Sequence, residues 1–105
     1  MQQASPIHAF RRDAEVALPD AVVRMMLFGS RARGDARSDS DWDLAVFVRD
    51  DVNIRAAQTA LSDVAYEYVV RGHDIRPIAF EAHRWDDDSE IVHRIRREGV
   101  EILPA

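Results

Sequence analysis

Cysteine is absent from the chain, which excludes a disulfide framework or a thiolate metal site and is consistent with a reducing compartment. Long hydrophobic runs are missing as well. Nothing approaches the ~20 apolar residues that span a bilayer, and no signal-like apolar stretch stands near the N-terminus. A cytoplasmic location with no membrane partner is therefore expected. Positive charge is in deficit: the formal net charge is −5, which argues against a general nucleic-acid-binding surface. No repeat, linker or low-complexity tract interrupts the 105 residues, a length that suits one modest core and a single domain over residues 1–105.

What is present is concentrated between Met25 and Arg49. An apolar run, Met25 to Phe28, stops at Gly29-Ser30. A polar segment rich in Arg and Asp follows, and Asp41-Trp42-Asp43 then opens a second apolar run, Leu44 to Val48. The pattern predicts strand, phosphate-sized turn, strand. Successive strand residues point to opposite faces, so Asp41 and Asp43 share one face, with Leu44, Val46 and Val48 on the other. At ~3.3 Å rise per residue the two acids stand about 6.5–7 Å apart along the chain, close enough for their carboxylates to converge on one or two divalent ions. Mg²⁺ suits such a site because it takes oxygen ligands from one or two carboxylates and completes its shell with water and substrate phosphates. Glycine at position 29 permits a tight turn and close approach of a ligand. Ser30 adds a hydroxyl and, as an expected N-cap, would set the positive end of a short helix beside an anion. Arg31 and Arg33 are candidates for neutralising a triphosphate, with solvated loop ion pairs as the alternative. The same composition would also fit a plain solvated hairpin with Asp41 and Asp43 as edge charges.

Gly29-Ser30, ten residues, then Asp41-x-Asp43, between two strand-like runs, resembles the signature of the nucleotidyltransferase superfamily related to DNA polymerase β. The small size is similar to its minimal members, including antitoxins paired with all-helical HEPN toxins. The core of the resemblance covers about a quarter of the chain; Arg71 to Phe80 and the ending HRIRREGVEIL fit more loosely. The resemblance implies an α/β (α+β) fold, a small mixed sheet of three to four strands with helices packed on one side. It implies a metal-dependent enzyme with Asp41 and Asp43 as catalytic metal ligands, Gly29 and Ser30 at the nucleotide, ATP as substrate and Mg²⁺, as one or two ions, as cofactor. AMP would pass to a hydroxyl, a tyrosine of a partner HEPN toxin being one candidate; a homo-oligomer is the other partner considered. The family places a third carboxylate on a later strand. By count, Arg76 stands there, with Asp74 two residues earlier as the candidate replacement and Glu81 as the next acid. That departure leaves open a second reading, a nucleotidyltransferase-fold antitoxin or assembly subunit that acts by protein binding.

The remaining elements follow from local signals. Ser5-Pro6 begins a helix on Ile7, Phe10, Ala14 and Ala17, ended by Pro19. A strand is expected from about Val23, its apolar run suggesting burial on both faces. Gly34 should turn left-handed after a short helix. Asp50 or Asp51 is expected to cap a helix on Ile54, Ala57, Leu61, Val64 and Tyr68, closed by Gly72. His73 to Phe80 reads as a third strand, and Pro77 favours an edge position. Glu81 to Asp88 reads as a turn or short helical segment. Ser89 is expected to cap a last helix on Ile91, Val92 and Ile95, and Val100 to Leu103 to add a short edge strand. His8, His73 and His83 are expected at the surface.

Overall fold

The computed structural model describes residues 5–104. In chain order they form α1 (Pro6–Ala17), β1 (Val22–Phe28), α2 (Ser30–Arg33), β2 (Trp42–Val48), α3 (Ile54–Val70), β3 (Ile75–Glu81), a 3-10 turn (Ala82–Asp86), α4 (Glu90–Glu98) and β4 (Val100–Glu101). The four strands make one mixed sheet in the order β3-β2-β1-β4. β1 is antiparallel to β2 and to β4, whereas β2 and β3 run parallel around the crossover helix α3.

Strand alternation divides the core in two. Met25 and Leu27 of β1 with Leu44, Val46 and Val48 of β2 pack against Ile7, Phe10 and Ala14 of α1 and Ala57, Leu61, Ala65 and Tyr68 of α3. The two long helices thus lie together on one face, as expected. On the opposite face Met26, Ala45, Phe47 and Phe80 pack with Val92 and Ile95, so α4 covers part of it. Phe47 stacks on Phe80 with ring centroids 5.1 Å apart and meets Trp85 edge-on at 5.3 Å. The part of this face nearest Asp43 carries charged rather than apolar side chains.

Local signals mostly fall where the sequence puts them. The Ser5 hydroxyl accepts from the Ile7 amide at the start of α1, and Gly34 and Gly72 take positive φ after α2 and α3. β3 is an edge strand, which accommodates Pro77 without a missing ladder bond. Its outer edge is closed by Gln58 of α3: the side-chain amide donates to the Pro77 carbonyl at 2.9 Å and accepts from the Ala79 amide at 2.8 Å. This imitates a neighbouring strand and blunts an edge that would otherwise invite pairing. α3 is capped by Asn53, whose side chain accepts from the Ala56 amide, rather than by Asp50 or Asp51. Asp50 instead accepts from the His83 backbone amide at 3.0 Å and pairs with the His83 ring at 2.9 Å, tying the end of β2 to the 3-10 turn. Ser89 sits at the N-cap of α4 but makes no capping bond. His8, His73 and His83 are exposed.

Candidate active site

The site lies where β1 ends, β2 begins and β3 begins. Antiparallel pairing sets Phe28 opposite Asp43, and parallel pairing sets Asp43 beside Arg76. Gly29 follows immediately, at φ 75° and ψ −157°, a region essentially closed to residues with a Cβ. A Cβ built there would lie 2.6 Å from Asp43 Oδ2. Glycine is therefore required twice, by the backbone and by the carboxylate that crowds it.

Gly29, not Ser30, is the N-cap of α2; Ser30 is its first helical residue, and no side chain caps the helix. The sharp turn at Gly29 uses the cap position for a backbone that only glycine adopts, which moves Ser30 one place inward. The Gly29 carbonyl accepts from the amides of Ala32 and Arg33, and the Ser30 carbonyl from those of Gly34 and Asp35.

Asp41 and Asp43 share the face opposite Trp42, as alternation requires. Asp43 is half-buried, and its pKa is raised above the ordinary 3.8, first by burial and then by the negative charge of Asp41. Two carboxylates held together against their repulsion are a site prepared for a cation. A pair of carboxylates supplies the oxygen donors that a divalent ion takes, with phosphate or water able to complete its shell. Among the described residues no cluster of three or more acidic or histidine side chains has metal-holding geometry.

A cation of the chain itself, Arg76, already stands there. It occupies the register position beside Asp43, and its guanidinium reaches Asp41 Oδ2 at 3.4 Å and Asp74 Oδ2 at 3.1 Å. Asp74 lies just before β3, near enough for its charge to act on Asp43, yet its carboxyl is held below the ordinary carboxylate pKa, chiefly by the Arg76 hydrogen bond. Asp41, Asp43, Asp74 and Arg76 therefore form one cluster. Glu81 does not join it. It stands at the far end of β3 opposite Val48, five residues and about 16 Å of strand beyond Arg76.

Arg31 and Arg33, both on α2, have other partners. Arg31 stacks over the Trp42 ring at 4.0 Å and donates to the carbonyls of Ser40 at 2.9 Å and Ser38 at 3.3 Å. It thereby holds the 38–40 loop and helps line a cleft of about 400 Å³ with Pro6, Trp42, His73 and Asp74. Arg33 pairs with Asp35 and with Glu98 of α4. The Arg76 bridge is the feature that sequence reading missed. Its signal was available, since Asp74 and Arg76 are two apart at a strand entrance, but the long reach to Asp41 depends on the parallel register of β2 and β3.

A family model described as polymerase beta, nucleotidyltransferase, matches residues 15–104. The chain belongs to that family, and its four-stranded mixed sheet with helices is the polymerase-β-like architecture. Among curated proteins it is 29% identical over 98 residues to MJ0141 of Methanocaldococcus jannaschii, named provisionally as a protein adenylyltransferase; the match covers 91% of this chain and 94% of that protein. Among solved structures, a protein of Sulfolobus solfataricus provisionally named a nucleotidyltransferase superposes with a TM-score of 0.66 at 18% identity, covering 93% of this chain and 77% of that one. A mutant of the MntA–HpeT toxin–antitoxin complex matches at TM-score 0.64 and 17% identity, over 98% of this chain and 75% of the other. A toxin–antitoxin structure with AMP-PNP matches at TM-score 0.62 and 16% identity, over 93% and 73%. At these identities the structural likeness is one of fold.

Proposed function

We propose that this protein is a cytoplasmic, single-domain nucleotidyltransferase that transfers AMP from Mg-ATP to a hydroxyl of a partner protein, a tyrosine of a HEPN-type toxin, and so acts as an antitoxin. The observation that carries the reading is the corner itself: Gly29 in a glycine-only conformation against Asp43, with Asp41 alongside. The adenylyltransferase name of the archaeal relative and the AMP-PNP bound to a structural neighbour support adenosine triphosphate as the donor.

Asp41 and Asp43 would hold the divalent ion, which would supply charge neutralisation for the triphosphate and the departing pyrophosphate. Gly29, lacking a side chain, lets the phosphates approach the backbone, and the Ser30 hydroxyl donates to the outer phosphates. The acceptor oxygen attacks the α-phosphorus as its bond to the bridging oxygen breaks. Pyrophosphate leaves with the electron pair, and the acceptor proton goes to solvent. Asp74, the candidate replacement for the third acid, is a poor base while Arg76 holds its pKa down.

The test is transfer of label from ATP carrying it at the α-phosphate. The acceptor offered is a purified HEPN-type toxin, and the site is mapped by mass spectrometry. Labelled tyrosine that disappears in Asp43→Asn is expected. Arg76 in register with Asp43 favours a second reading, neutralisation by contact alone; tight binding of the partner with no label would select it.

A further inference from the structure

We propose that Arg76 is a phosphate-binding residue of this site, parked between Asp41 and Asp74 in the free protein and turned onto the donor's phosphates once Asp41 is taken by a metal–triphosphate complex. The proposal rests on the nucleotidyltransferase reading and assigns Asp74 a different role from that of an acid or base. Asp74 is the positioning residue that keeps Arg76 at the site.

Three observations converge. Arg76 is on β3 directly beside Asp43, one strand spacing away, about 4.8 Å, so its side chain rises from the strand next to the metal ligands. It is also open to solvent. The side chain is 61% exposed, and its described polar contacts are the two carboxylates, with NH1 on Asp41 and NH2 and Nε on Asp74. Finally, it is a cation whose present partners lie at the site itself. Arg31 is fixed by Trp42 and two carbonyls, and Arg33 is paired with Asp35 and Glu98, whereas the partners of Arg76 are the residues a nucleotide complex would claim.

The electrostatics give the exchange a direction. Three aspartates against one arginine leave two negative charges at the corner, which one divalent ion would cancel. A guanidinium and a metal compete for the same Asp41 oxygen, so metal binding releases NH1 of Arg76. The bidentate hold of Asp74 at 3.1 and 3.4 Å then keeps the guanidinium beside the site. Its planar fork recognises phosphate by the geometry it uses for carboxylate.

The competition gives opposite signs in two measurements, which a merely structural role would not. Mn²⁺ without nucleotide, followed by paramagnetic resonance, should bind Arg76→Gln several-fold more tightly than the wild type, because the competitor is gone. Mg²⁺ with AMP-PNP, followed by calorimetry, should bind the same variant about tenfold more weakly, the scale of a lost charge-assisted bond. Asp74→Asn should weaken Mn²⁺ binding in the wild type by leaving Arg76 wholly on Asp41, and change nothing in the Arg76→Gln background. Equal or same-sign shifts in the two measurements would overturn the assignment. So would a loss on Asp74→Asn in both backgrounds, which would make Asp74 a metal ligand. A wild type that binds Mn²⁺ but no AMP-PNP would overturn the nucleotidyltransferase reading with it, whereas wild-type AMP-PNP binding that Arg76→Gln leaves intact removes only the role of Arg76.

Discussion

Gly29→Ala separates the structural demand of the corner from its chemical one. Forcing alanine into φ 75°, ψ −157° costs about 1–3 kcal/mol of backbone strain. The new Cβ also meets Asp43 Oδ2 at 2.6 Å, while the next nearest atoms, Asp43 Cγ and Cβ at 3.5 and 3.6 Å, are at ordinary contact distance. Only the carboxylate tip must give way, for an off-rotamer cost of about 0.5–1.5 kcal/mol. The chain should therefore fold, with the melting temperature lower by about 6–30 °C for a domain of this size, but with Asp43 turned from its position. Mg-ATP binding should fall at least ~10-fold, since a charge-assisted contact of this kind is worth about 1.5–3 kcal/mol. Repeating the substitution in an Asp43→Ala background isolates the clash. There the strain remains and the crowding disappears, so urea denaturation should show a smaller destabilisation, by about 0.5–1.5 kcal/mol. An alanine variant that melts like the wild type and binds Mg-ATP normally would refute the reasoning, because it would mean that Gly29 neither adopts this conformation nor abuts Asp43.

Other consequences can be checked in purified protein. Because burial and Asp41 raise the Asp43 pKa above 3.8, the folded state holds that proton more tightly than the unfolded chain. Stability is lost as pH rises through the raised value, so Asp43→Asn should raise the melting temperature at neutral pH while removing metal binding; a lower melting temperature would contradict this. Asp50 raises the His83 pKa above 6.5, and the stability this pair adds is full below the ordinary value and lost as pH rises through the raised one. His83→Gln should abolish that slope in melting scans between pH 6 and 9. Gln58→Ala leaves the Pro77 carbonyl and Ala79 amide open on the edge of β3. It should cost about 1–2 kcal/mol and increase self-association by light scattering.

The parts of the fold that were legible in the sequence are those set by local chemistry. Ser5-Pro6, Gly34, Gly72 and the alternation through Asp41 to Val48 each act within a few residues, and each stands where its pattern places it. Helix caps were legible in kind but not in position. Asn53 competes successfully with Asp50 because His83, distant in sequence, claims the Asp50 carboxylate. Glu81 was a reasonable acid by composition and is unsuitable only because register carries it to the far end of β3. Of the candidate site, Gly29, Asp41 and Asp43 were readable from spacing. The contacts of Asp74, Arg31 and Arg33 were not, since a long arginine chooses among carboxylates, carbonyls and aromatic rings that only the tertiary fold brings within reach.

The most direct test of the central claim is calorimetric titration of Mg-ATP into the wild type and into Asp41→Asn and Asp43→Asn variants shown by circular dichroism to be folded. The expected result is binding by the wild type that requires Mg²⁺ and falls at least ~10-fold in each variant. Binding that is unchanged in both, or that persists undiminished without the metal, would contradict the assignment of this corner as the nucleotide site.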